Sequence, residues 1–199
     1  MLTIVLDVNA WKVYLVNILN MHADWRHNLR VPVVMLLQIA AIVLAGSPCN
    51  AATLTGTVTR VIDGDTIEIE TWHHVGPSLT IRLAHIDAPE RAQRFGRESA
   101  RYLSALITDR AVRIDYSKQD FFGRIIGTVY LLAGDSDSLR QVNRTLIAGG
   151  YAWVYRKYCR SEVMADLEAQ ARGSRKGLWR DTRPVPPWRY RRAMRNKGG

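Results

Sequence analysis

Apolar and polar residues alternate along three short stretches after Thr53, "TLTGTVTRVI", "TIEIETW" and "LTIRLAHI", separated by an Asp-Gly pair and by "HHVGPS". Period-two alternation rich in β-branched residues predicts strands, and the breaks between them predict a three-stranded meander. The period then changes. In "RFGRESARYLSALITD", Phe95, Ser99, Leu103, Leu106 and Ile107 share one helical face, with Arg94, Arg97, Glu98 and Arg101 opposite. Strand pattern returns in "AVRIDYS" and "RIIGTVYLLA", joined through "KQDFFG". A helix over "SLRQVNRTLIAG" stops at Gly149 and Gly150, the short aromatic run "YAWVYRKY" follows, and "SEVMADLEAQARG" is a last helix with Ser161 as N-cap. Three prolines in "RPVPPWRYRR" predict an extended end without regular helix or central strand. Five strands with about three helices give an α+β, mostly β class, most simply a five-stranded OB-type barrel.

The chain has 199 residues, 47% hydrophobic and 23% charged, a balance that suits one globular core and excludes a disordered polymer. Its formal charge of +10 is uneven. Residues 182–199 hold Arg183, Arg189, Arg191, Arg192, Arg195 and Lys197 with no acid, whereas the body is only mildly basic. At the other end "RHNLR", the apolar run 31–46 and "SPCNAA" read as a secretory signal cut after Ala51, with residues 1–20 ahead of it and Met21 as an alternative start. Export, secreted or periplasmic, is the expectation. A retained membrane anchor is the alternative, against which stand Gln38 and a run shorter than the roughly 20 residues that span a bilayer. The division expected is 1–51 as extension and signal or anchor, 52–181 as the domain, and 182–199 as a basic Pro/Arg-rich tail. Cys49 and Cys159 are the only cysteines, and loss of the first leaves no internal disulfide.

Candidate chemistry lies in three places. "RVIDGDTIEIE" sets Asp63 and Asp65 around Gly64, a strong hairpin signal in which glycine supplies a positive φ. "IRLAHIDAPE" holds Arg82 in the third strand and Asp87, Ala88 and Glu90 after it, with Pro89 forcing Ala88 out of the helical region. "DFFGR" puts Arg124 at the opening of a strand. Singly, these are a turn, an exposed strand arginine and a helix-start acid. Together, "VIDGDTI", "IRLAHIDAPE", "DFFGR" and "AQARGSRKGLW" resemble, in order and spacing, the thermonuclease or staphylococcal (micrococcal) nuclease-like family, over roughly Thr55 to Trp179.

The resemblance implies Ca²⁺ bound by the carboxylates of Asp65 and Asp87 and the main-chain carbonyl of Ala88. It implies Glu90 as general base and Arg82 and Arg124 as phosphate-binding arginines, with Asp63 and Thr66 orienting the shell. Phe122 stands where the family commonly has tyrosine, keeping the ring without the hydroxyl, and Trp153 and Tyr155 stand where it places aromatics beside a base. These last two rings suit a core equally well. The residue types fit the chemistry: negative charge building on a phosphodiester is neutralised by a divalent ion and guanidiniums, and a carboxylate can take the proton of the attacking water. Calcium accepts oxygen ligands, typically six to eight, so a sparse donor set leaves room for water and substrate. His73, His74 and His85 lack finger spacing and read as solvated.

The function expected is a Ca²⁺-dependent phosphodiester hydrolase, endonuclease and exonuclease, acting on DNA and RNA with little sequence preference. By resemblance it leaves 3′-phosphates. DNA and RNA are the expected partners, and the protein is expected to be monomeric without an obligate protein partner. Two rivals are a non-catalytic nucleic-acid-binding OB module and a basic protein of the cell wall or membrane. The tail is either a tether for substrate, helped by Trp188 and Tyr190, or a solvated end.

Overall fold

The computed structural model describes residues 52–72, 76–132 and 139–197. The signal or anchor segment, Cys49, His73 and His74 lie outside the described residues. Strands β1 (Ala52–Asp63), β2 (Thr66–Thr71) and β3 (Leu79–Leu83) form the meander, and the two-residue β4 (Ile86–Asp87) follows. Helix α1 (Gly96–Ile107) leads into β5 (Ala111–Gln119), β6 (Ile125–Leu131) and the short β7 (Arg140–Gln141). After α2 (Val142–Ala148) come β8 (Trp153–Val154), α3 (Glu162–Gly173), a 3₁₀ turn (Gly177–Arg180) and α4 (Pro187–Lys197).

The main sheet runs β3-β2-β1-β5-β6-β7, and a parallel pairing of β3 with β6, from Ile81↔Ile125 to Leu83↔Gly127, closes five of its strands into the barrel. Closure works because β1 is long enough to serve two partners: its first half pairs with β5, and its second half, through two register shifts, pairs with β2. Such irregularities bend a strand and increase its twist. Alternation then sorts the side chains. Val58, Ile67, Ile69, Ile81, Leu83, Val112, Ile114 and Val129 fill the interior and are at most 1% exposed. Each such side chain contributes about 1.5–3 kcal/mol of burial.

Polar ties fix the helices to this barrel. Ser161 caps α3 by accepting from the Met164 amide at 3.4 Å. Buried Asn143 of α2 accepts from the Val129 amide at 2.9 Å and donates to the Ala84 carbonyl at 2.8 Å, holding the chain between β3 and β4. Glu168 of α3, also buried, accepts from the Val154 amide at 2.8 Å. A second cluster of Trp153, Ala171, Leu178 and Trp179 packs with Phe95 and Trp188.

Two expectations need correction. The end of the chain is not extended: α4 is an eleven-residue helix, with Pro187 at its first position, where a missing N–H costs nothing. The Arg189 and Tyr190 amides donate to the Pro186 carbonyl at 3.0 and 3.1 Å, so the proline cluster starts the helix. Gly64 does not take a positive φ. It is needed because a Cβ there would stand 2.6 Å from the Ala88 Cβ and 2.8 Å from the Ser99 Cβ.

Candidate active site

Register brings the three motifs together. Asp63 pairs with Thr66 at the β1–β2 turn, Thr66 pairs with Arg82 across β2–β3, and Arg82 pairs with Ile126 just inside β6, two residues from Arg124. Asp87 pairs with Trp153 in the β4–β8 ladder, which holds the stretch 86–90 against the barrel mouth. The result is a cleft of about 780 Å³ whose lining includes Asp65, Arg82, Asp87, Ala88, Glu90 and Arg124.

Asp65 is held from all sides. Its amide donates to Asp63 Oδ1 at 3.0 Å, its carbonyl accepts from the Leu83 amide at 2.8 Å, and its Oδ2 accepts from the Ala88 amide at 2.6 Å. Thr66 Oγ1 donates to Oδ1 at 3.2 Å. Arg82 lies between the two aspartates, with Nη1 2.8 Å from Asp65 Oδ2 and Nη2 2.9 Å from Asp87 Oδ1. Both carboxylates are almost fully buried. Burial pushes the Asp65 carboxyl up, to about 8, and the neighbouring charges of Asp63 and Asp87 push the same way against Arg82 and the Ala88 amide. Arg82 alone therefore does not offset the burial of Asp65, whose ionised form positive charge placed beside it would favour.

That corner fits a hard divalent cation. Its side-chain donors are the carboxylates of Asp65 and Asp87, all oxygen, and among the described residues no group of three or more His, Cys, Asp or Glu gathers as a metal cluster. A set without nitrogen or sulfur suits calcium rather than zinc.

Arg124 also lines the cleft, in a different setting. Its Nε and Nη2 lie 2.8 and 2.7 Å from Asp120 Oδ2, and Asp120 Oδ1 accepts from the amides of Phe122 and Arg124. Burial would raise the Asp120 carboxyl, but the hydrogen bonds from Arg124 outweigh it and hold it below its ordinary range. Phe122 is 79% exposed with the Arg124 guanidinium 5.6 Å from its ring centroid, and Phe121 beside it is 98% exposed.

The two aromatic candidates separate. Tyr155 lines the cleft, whereas Trp153 is buried, 4.3 Å from Trp179 and 5.8 Å from Trp188 between ring centroids. Trp153 thus takes the core alternative and is withdrawn as a base-stacking candidate. Tyr155 lies just beyond the two-residue β8, where the chain leaves the ladder and its amide donates to the His85 carbonyl at 2.9 Å.

Two residues at the site had not been singled out. Asp120 orients Arg124, and its signal is local: an acid three residues before the glycine of "GR" closes a turn, with the Gly123 amide donating to the Asp120 carbonyl at 3.0 Å. Arg191 of α4 was counted only as tail charge. Its Nη2 lies 2.7 Å from Asp87 Oδ2, and its Nη1 lies 3.1 Å from Asp87 Oδ1 and 2.6 Å from Glu90 Oε1. Hydrogen bonding to Asp87 raises its already high proton affinity further.

Comparison with known proteins bears on the family. Residues 80–181 match the family described as staphylococcal nuclease homologue. The chain is 40% identical over 144 residues to an uncharacterized endonuclease of Escherichia coli, covering 72% of this chain and 89% of the relative. It is 36% identical over 162 residues to a micrococcal nuclease of Shigella flexneri, covering 79% and 91%. A rice protein, a probable staphylococcal-like nuclease, is 35% identical over 116 residues, 58% of this chain and 33% of that one. With its barrel, its motif order and these relatives in accord, the chain belongs to the staphylococcal nuclease family.

Proposed function

We propose that the protein is a Ca²⁺-dependent nuclease that hydrolyses the phosphodiester bonds of DNA and RNA with little sequence preference. The observation that carries this reading is the convergence of two buried aspartates, a third carboxylate and two arginines on one cleft of a barrel whose open face suits oligonucleotides. Asp65, Asp87 and the Ala88 carbonyl would hold the ion, which supplies charge neutralisation to the phosphate. Arg82 and Arg124 are forked donors able to grip phosphate oxygens in the same cleft, and charge-assisted bonds of this kind strengthen as charge develops. Glu90 is the half-exposed carboxylate of the site, and its proposed task is to take a proton from attacking water. Tyr155 and Phe122 offer ring faces to bases, which stack without reading sequence. Cleavage on the 5′-oxygen side, leaving 3′-phosphates, and mixed endonuclease and exonuclease action belong to the same proposal. So does export, which rests on "RHNLR", the apolar run 31–46 and "SPCNAA".

The test is digestion by the purified full chain. Circular single-stranded DNA and RNA should be cut with Ca²⁺ and left intact with a chelator, and end-group analysis should find 3′-phosphates. Digestion that ignores the chelator removes the cation from the mechanism. Binding without digestion makes the protein a nucleic-acid-binding module instead, and cutting of linear substrate alone makes it an exonuclease.

A further inference from the structure

Helix α4 touches one proposed metal ligand, the proposed base and a proposed stacking ring. Trp188 at its start lies parallel to Tyr155, with ring centroids 5.5 Å apart and planes 8° apart, so an indole occupies the face proposed for a base. One turn later Arg191 engages both oxygens of Asp87 and one of Glu90. Asp87 Oδ1 already accepts from Arg82, so both of its oxygens are committed to guanidiniums. Arg195, a further turn along, also lines the cleft. Three positions at helical spacing thus place a ring on the face proposed for a base and a cation on the carboxylate proposed for the metal ion, with a second cation beside them.

The docking is built. Pro187 is buried, Trp188 also meets Trp153 edge-on at 5.8 Å, and Gln93 Nε2 donates to the Val185 carbonyl at 2.5 Å. Gln93 in turn accepts from the Glu90 amide at 3.3 Å, which couples the approach to α4 directly to the base-bearing segment. Yet the contact is of a kind that can let go. The Arg191 side chain is 36% exposed, and its helix carries five cations and no acid, so a polyanion competes for it as a whole.

We propose that α4 is an autoinhibitory strap in which Arg191 holds Asp87 and Glu90 in the resting enzyme, and that divalent cation and single-stranded nucleic acid open it. The inference rests on the nuclease reading of the same site. A tethered guanidinium competes at high effective concentration, so the site accepts a cation only in the fraction of molecules whose strap is open. Charge alone would not produce this. An arginine elsewhere on the helix, such as exposed Arg192, repels a cation from a distance without occupying a ligand.

The experiment is calorimetric titration of Ca²⁺ into the full-length protein without substrate, with hydrogen–deuterium exchange of residues 187–197 followed in parallel. Arg191→Gln and Trp188→Ala should each tighten Ca²⁺ binding by on the order of tenfold, the second without any change of charge. Arg192→Gln, which changes charge equally, should leave it near the wild-type value. Amides of 187–197 in the wild type should exchange faster once Ca²⁺ and single-stranded DNA are added. Equal Ca²⁺ affinity in wild type, Arg191→Gln and Trp188→Ala, or tightening equal in Arg191→Gln and Arg192→Gln, overturns the strap while digestion by the wild type still upholds the nuclease. If no form takes up Ca²⁺ or cuts DNA, the nuclease reading falls and the strap with it.

Discussion

Asp87 receives two arginines of opposite character. Arg82 arrives from the barrel: its position is set by pairing with Thr66 on one side and Ile126 on the other, and its side chain is only 15% exposed. Arg191 arrives from the end of the chain on a helix anchored by one indole and one glutamine, and its side chain is 36% exposed. The first cannot leave without opening the barrel. The second can leave while every strand stays in place. One carboxylate is therefore served by a fixed partner and by an exchangeable one, and the strength of each contact in the static structure does not distinguish them. The supporting elements do.

The sharpest way to break this comparison is Arg82→Ala. It leaves buried Asp65 without its guanidinium and Asp87 with Arg191 alone, and loss of one member of such a group costs up to about 3–5 kcal/mol. The same change removes a donor to the phosphate, worth a further factor of about 10²–10³ in turnover. We expect a large fall in thermal stability together with near-complete loss of digestion. An Arg82→Ala protein that melts like the wild type would mean that Arg82 is as exchangeable as Arg191. Next in size is Glu90→Gln, which keeps the shape of the side chain and its contact with Gln93. Turnover should fall by about 10²–10⁴ while the melting temperature stays close to wild type, and a wild-type rate would take Glu90 out of the mechanism.

Much of the fixed half was legible in the sequence, and the exchangeable half was not. Strand alternation foretold the barrel, and the family resemblance of the motifs around Asp65, Arg82, Asp87 and Arg124 foretold that they share a site. The pairing of β4 with β8 was not legible, since two-residue strands carry no period, and so the division of Trp153 into the core and Tyr155 into the cleft was invisible. Gly64 was noticed for a correct reason of composition and a wrong one of conformation. What it permits is the approach of α1, through Ser99, to Ala88. Helix α4 was misread because three prolines and a run of arginines look extended. The spacing of Trp188, Arg191 and Arg195 behind a helix-starting Pro187 was its helical signal, and only the tertiary partners Tyr155 and Asp87 give that spacing meaning.

Gly64→Ala tests the packing beneath the fixed site. A methyl group would meet Ala88 and Ser99 well inside contact distance, so α1 or the 86–90 segment has to shift, at a cost of about 1–3 kcal/mol. Because the segment carries Asp87 and Glu90, Ca²⁺ affinity should fall in step with stability. A loss of stability with unchanged Ca²⁺ affinity would show that the shift is absorbed by the helix. A milder probe lies at the hairpin mouth. The Asp120 carboxyl is held below its ordinary range, so its contribution is present above the unfolded-state value and is lost as pH falls through the folded one. Asp120→Asn should therefore lower stability slightly at neutral pH and leave the two proteins alike in strong acid, as read from thermal melts across the acid range.

The smallest expected effect separates the two jobs that α4 could do for the same charges. Arg189 and Arg192 are exposed and lie outside the cleft lining, so neither holds the strap closed. Once the strap is open, however, both are available to phosphates of a single strand, and each phosphate neutralised steepens the fall of affinity with salt by roughly 0.7 in the log–log slope. Changing both to glutamine should flatten that slope by about 1.4 while turnover at saturating substrate stays the same. Arg191→Gln differs in kind: it should raise cation affinity in the absence of substrate, where salt slope has nothing to report. If the double variant instead tightens Ca²⁺ binding as Arg191→Gln does, the helix acts through its total charge. The distinction between a residue that occupies Asp87 and residues that only sit near it then disappears.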